Sequence, residues 1–168
     1  MIALALCALL AQSPPPEAML ETVVAELVNE YRESAGFARL RLDEGVSAIA
    51  REHSRRMASG RIPLGHDGFR LRVQATRLAI GPVSRISENT ARNRGYDDPA
   101  QRAFDGWVTS STHRKNLDGN FLLTGVGIAR SPRGEYFLTQ IFVAPRVKAT
   151  TPPVPPPAHP ASAPLPRP

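Results

Sequence analysis

The 168-residue chain has a single cysteine, Cys7, and it lies inside an apolar run at the start. Removal of that run leaves no cysteine, which excludes a disulfide framework, a disulfide-linked partner and any thiolate metal site. The fold must then rest on its core alone. Lysine is scarce too: Lys115 and Lys148 are the only lysines, so arginine carries the net charge of +6. Aromatic residues make up only 6% of the chain, which makes the core mostly aliphatic. That scarcity also argues against nucleic acid as a partner. Arg51, Arg55 and Arg56 form the one tight basic group, and no aromatic side chains interleave with them to stack bases. Their helix has an apolar opposite face, so a solvated basic face is expected instead.

Long hydrophobic stretches are absent as well. Residues 2–11 are uncharged and apolar but too few to span a bilayer as a mature helix. They have the length of a signal-peptide core, although the usual basic segment before it is missing. Residues 1–13 are therefore expected to be a signal peptide, and the protein to be secreted or held in the periplasm or cell envelope. From Pro145 onward prolines dominate, ten in the last 24 residues. Residues 147–168 are expected to form an extended, disordered tail beyond a domain at 14–146.

Within that domain, Leu20, Val23, Val24, Leu27, Val28 and Tyr31 fall at helical spacing between Glu17 and about Ser34. Phe37 to Leu42 is an extended connection. Asp43 can cap a second helix that buries Val46, Ile49, Ala50, His53 and Met57. A weaker third helix is predicted over Phe69 to Leu78, and a strand over Val83 to Ala91. Asp98-Pro99 starts a fourth helix with a capping residue and a proline at the first helical position. Leu122 to Ala129 and Tyr136 to Ala144 form a closing hairpin. About four helices and three strands, largely segregated, predict an α+β fold with helices around a small, mainly antiparallel sheet.

His53 falls on an apolar helix face and is expected to be a core residue held by one hydrogen bond. His66 follows a Pro-Leu-Gly turn, Glu88 is expected at a strand end, and His113 lies in a polar stretch after the fourth helix. All three stand at the edges of elements, where side chains are free to converge in a cleft. Two imidazoles and a carboxylate suit a divalent metal such as zinc, or a proton-transfer group. Spacing alone does not decide whether they meet.

The surrounding motifs bear on that question. Leu27-Val28-Asn29-Glu30-Tyr31-Arg32, then Ala50-Arg51-x-His53-Ser54-x-x-Met57, Gly65-His66-Asp67-Gly68 and Ser87-Glu88-Asn89 occur in order. Trp107-x-x-Ser110-x-x-His113-Arg114-x-Asn116-Leu117, Gly125-Val126-Gly127 and Tyr136-x-x-x-Gln140-x-Phe142 follow. Over roughly residues 20–143 this succession resembles the CAP (SCP-like) superfamily of cysteine-rich secretory, antigen and pathogenesis-related proteins, in its bacterial form. The resemblance implies an α-β-α sandwich with a central cleft in which His66, Glu88 and His113 match the cleft residues. Two departures stand out. Ser87 replaces a glycine, which is tolerable if φ there is not positive. Ser110 stands where many eukaryotic members carry a second glutamate, so the cleft would hold one acid fewer for a metal.

Three functions compete. A binding module of the cell envelope would use the cleft for a metal, a lipid, a sterol or a peptide. A metal-dependent hydrolase or protease would use His66 and His113 as ligands, with Glu88 as ligand or base. A structural interaction protein would use the cluster only to knit its core. No His-Glu-x-x-His helix is present, and Ser110 and Ser111 stand too close before His113 to form an obvious nucleophile pair. Binding is preferred over catalysis on those grounds.

Overall fold

The structure is a computed structural model that describes residues 16–146. The apolar run, the leader expectation for residues 1–13 and the tail expectation for 147–168 lie outside the described residues. Five helices and four strands are seen in the order α1 (Glu17–Ser34), β1 (Arg41–Leu42), α2 (Glu44–Ala58), α3 (Phe69–Ile80), β2 (Val83–Asn93), α4 (Pro99–Thr109), α5 (Ser111–Leu117), β3 (Leu123–Arg130) and β4 (Tyr136–Pro145). The strands form one mixed sheet in the order β1-β3-β4-β2. β1 runs parallel to β3, while the other two pairings are antiparallel.

The period-two alternation of β3 and β4 sorts the core into two layers. Val126, Ile128, Leu138 and Phe142 face one side, where Leu20, Val24 and Val28 of α1 and Ala103 and Trp107 of α4 close over them. Leu123, Ile141 and Val143 face the other, against Val46 and Ala50 of α2. The result is the expected α-β-α sandwich. Both anticipated caps form: Asp43 accepts from the Val46 N–H, and Asp98 accepts from the Gln101 N–H ahead of a helix that begins at Pro99.

Two elements were not anticipated. β1 is only two residues long, too short to show alternation. α5 lies in a stretch whose single buried residue is Leu117, so it carries no apolar stripe. One expectation is corrected. Arg51 is not a freely solvated charge, because it pairs with both Glu21 of α1 and Glu44 of its own helix. Arg55 and Arg56 are exposed as expected.

α2 lies almost directly on β3. A Cβ placed on Gly127 would come within 2.0 Å of the Arg51 backbone nitrogen, and one on Gly125 within 2.4 Å of the Ser47 nitrogen. Only hydrogen at those positions permits the approach. Because β1 pairs only with Leu123 and Thr124, the rest of that flank of β3 is satisfied by side chains. The Val126 N–H donates to Ser47 Oγ and the Ile128 N–H to Glu21 Oε1. Gly127→Ala forces helix and strand apart. It is expected to cost about 3 kcal/mol and to lower the Tm by roughly 10 °C in thermal unfolding, the upper range for overpacking a domain of this size.

Candidate functional site

The cleft is organised around Glu88, which β2 carries on the face turned to α3. Its side chain is only 1% exposed, so as a carboxylate it needs compensation. Arg72, one turn into α3, supplies it. Its Nε donates to Glu88 Oε2 at 2.5 Å and its Nη2 to Oε1 at 2.7 Å. The same guanidinium donates to the backbone carbonyls of Asp67 and His66 and so fastens the 65–68 loop to the strand. Gly68 caps α3 with a φ of 75°, which lets the loop turn sharply into the helix.

His66 completes this group. Its Nδ1 lies 2.9 Å from Glu88 Oε1. An ionised carboxylate only accepts, so Nδ1 carries a proton toward it, and Nε2 has no hydrogen-bond partner among the described residues. The His66 side chain is 53% exposed at the mouth of the cleft. Phe69, Ile86, Ser87, Thr112 and Asn116 join it and Glu88 around a cavity of about 270 Å³.

His113 is placed differently. Its Nδ1 pairs with Ser110 Oγ at 2.9 Å, and no hydrogen bond among the described residues joins that pair to His66 or Glu88. His113 lines an adjoining hollow of about 200 Å³ with Trp107 and Arg102. Burial, and secondarily the nearby His66, lower its pKa and keep the ring neutral. The Ser110–His113 pair forms although the two residues are close in chain, because Ser110 is the hinge between α4 and α5. Its hydroxyl caps neither helix and turns to the ring instead. Asn116 locks α5 to the strand by donating to the Glu88 carbonyl and to Asn89 Oδ1, while Asn89 donates to the His113 carbonyl.

Glu88 does not fit the expected role of ligand to a divalent cation. Both of its oxygens face a guanidinium, whose charge opposes a metal there. Among the described residues no three His, Cys, Asp or Glu side chains gather to hold a metal ion. Ser87 raises no difficulty, since no non-glycine residue described has a positive φ.

The partner missed from the sequence is Arg72. α3 exposes Leu71 and Leu78 and buries Arg72 and Thr76, so its apolar residues point the wrong way for a core stripe. His53 is buried as expected, and its Nδ1 bonds to Thr139 Oγ1 at 3.1 Å. Burial pushes its pKa down to about 4, and Arg72, His66 and Arg56 act in the same direction against Glu88.

Two outcomes follow from these charges. Arg72→Met strands a buried carboxylate and is expected to destabilise by about 3–5 kcal/mol in urea unfolding, with much of that loss recovered in the Arg72→Met/Glu88→Leu double variant. For His53 the folded value of about 4 lies below the ordinary 6.5. Between them the unfolded chain binds the proton and the folded chain does not. That stability is intact above pH 6.5 and is lost as pH falls toward 4, by about 3 kcal/mol in all. His53→Gln is expected to lose less stability than the wild type over the same interval.

The comparisons agree with this architecture. The family model described as CAP, the cysteine-rich secretory protein family, matches residues 25–142. The uncharacterized membrane protein YlbC of Bacillus subtilis (strain 168) is 31% identical over 126 residues, 73% of this chain; the chain spans 34% of that relative's length. Among solved structures, an outer surface protein of Borrelia burgdorferi shares the fold with a TM-score of 0.68 and 14% identity, over 79% of this chain and 97% of that one. An extracellular SCP-domain protein of Bacillus anthracis str. Ames shares it with a TM-score of 0.64 and 24% identity, over 79% and 45%. With its sandwich, its motif order and a family match over most of its length, this chain belongs to the CAP, or cysteine-rich secretory protein, family.

Proposed function

We propose that this chain is an exported binding module of the cell envelope that holds an extended peptide in the cleft beside His66. The observation that carries the reading is the relay Arg72–Glu88–His66. The buried ion pair fixes Glu88, Glu88 fixes the imidazole, and the imidazole presents an unpartnered Nε2 at the cleft mouth. A hydrogen-bonding group held this rigidly loses little entropy when a ligand pairs with it.

The strand edge favours a peptide over a lipid. β2 is the last strand of the sheet on this side. Glu88 and Thr90 turn their carbonyls outward, where Asn116 and the Trp107 indole N–H donate to them. Ile86, two residues earlier in the same register, turns its backbone groups to the same side and lines the cleft. With the Glu88 and Thr90 carbonyls already taken, Ile86 is the position at which an incoming main chain can pair, as in strand addition to a sheet edge. Phe69 and Ile86 then offer apolar contact, and Thr112 a hydroxyl.

Binding is favoured over catalysis because the one serine paired with an imidazole has no third group to orient it. Ser110 meets Nδ1 of His113, and among the described residues no carboxylate bonds to the other ring nitrogen. Export is supported by the apolar run at 2–11 and by the surface and extracellular proteins that share the fold. No helix of the described residues is long and apolar enough to cross a membrane.

The test is selection from a random heptapeptide library, followed by calorimetry with the best peptide. His66→Ala is expected to weaken binding at least tenfold while shifting the Tm little, since the side chain is half exposed. Equal affinity in the variant, or selection of no peptide above background, defeats the proposal.

A further inference from the structure

A second concavity opens between α2 and α3, on the other side of Arg72 from the cleft. It has a volume of about 370 Å³, and its walls include Ala48 and Ile49 of α2 and Leu71 and Ala75 of α3. Leu71 is 65% exposed, an unusual position for leucine on a helix that also buries an arginine. The floor is His53, 2% exposed, whose Nε2 is buried and has no hydrogen-bond partner among the described residues.

The hydrogen bonds beneath the ring decide which nitrogen holds the proton. Ser54 Oγ donates its one hydrogen to the Gly127 carbonyl, which can only accept. Ser54 must therefore accept from Thr139 Oγ1 at 2.8 Å, which uses the single Thr139 hydrogen. Thr139 Oγ1 can then only accept from His53, so Nδ1 is the protonated nitrogen and Nε2 a bare acceptor. Nδ1 is committed to Thr139, so Nε2 lies on the opposite edge of the ring, and the ring itself lines the groove. The depressed pKa of the ring agrees, since burial resists a second proton. A buried acceptor without a donor is costly, and it is the sort of group a ligand satisfies.

We propose that the α2–α3 groove is a second ligand site, which takes a small molecule with an apolar body and one hydroxyl that donates to His53 Nε2. The apolar body packs between Ile49, Leu71 and Ala75, and the hydroxyl reaches the floor. The acceptor character of the floor excludes ligands whose only polar atom is itself an acceptor, such as ethers. This site does not rest on the peptide reading of the cleft, although Arg72, which lines the groove, also pairs with Glu88 of the cleft.

The test uses 2-naphthol and its methyl ether, 2-methoxynaphthalene, which share an apolar body and differ in the donor. Calorimetry with the full chain is expected to show the alcohol binding about tenfold more tightly, the ratio associated with one buried hydrogen bond. Ala75→Trp fills the groove from its solvent side and is expected to abolish binding with the Tm unchanged. Ala48→Trp, from the opposite wall, serves if the first variant is unstable. Long-range ¹H–¹⁵N correlation of the His53 ring is expected to show the Nδ1–H tautomer. Equal affinity for alcohol and ether, no binding of either, affinity untouched by both tryptophan variants, or an Nε2–H tautomer each overturns the proposal.

Discussion

A guanidinium and a carboxylate, both removed from water, hold the cleft end of this molecule in place. Neither is tolerable alone in that setting, so each fixes the other. Because Arg72 also takes the carbonyls of His66 and Asp67, the pair determines where the loop runs and where α3 begins. Glu88 in turn orients His66. The imidazole at the cleft mouth is thus the exposed end of a chain of constraints whose root is buried. The same guanidinium donates to both oxygens of the carboxylate, so its buried charge is satisfied from within the chain.

Below this end, the sandwich is set by backbone approach. Gly125 and Gly127 let α2 rest on β3, and that contact brings His53 and Ser54 within reach of Thr139. A wider spacing would break the short hydroxyl relay and leave the His53 tautomer undefined. Packing at one face of the sheet therefore has a chemical consequence on the helix above it, namely a ring with one committed nitrogen and one free.

Much of this was legible in the residues. The stripes of α1, α2 and α4, the caps at Asp43 and Asp98 and the closing hairpin all carry local signals strong enough to survive tertiary context. The motif order pointed to His66 and Glu88 as neighbours, which they are. What was not legible depends on pairing across the chain. β1 has meaning only beside Leu123 and Thr124. α5 is held by Asn116 on β2 rather than by an apolar face. Arg72 was hidden because charge on a helix normally signals solvent, and only its partner on β2 reverses that rule. Of the cleft residues read from the motifs, His113 bonds to Ser110 rather than to His66 or Glu88.

The flank of β3 beyond β1 is a sheet edge with no partner strand, and its buried Val126 and Ile128 N–H groups are taken by Ser47 and Glu21. An incoming strand finds no donors at those two positions, so neighbouring molecules cannot extend the sheet there. Self-association into a cross-molecule ladder is blocked without proline or a bulge, by two side chains borrowed from the helices that flank the strand. The opposite edge, at β2, is treated in the same way, since Asn116 and Trp107 take the outward carbonyls of Glu88 and Thr90.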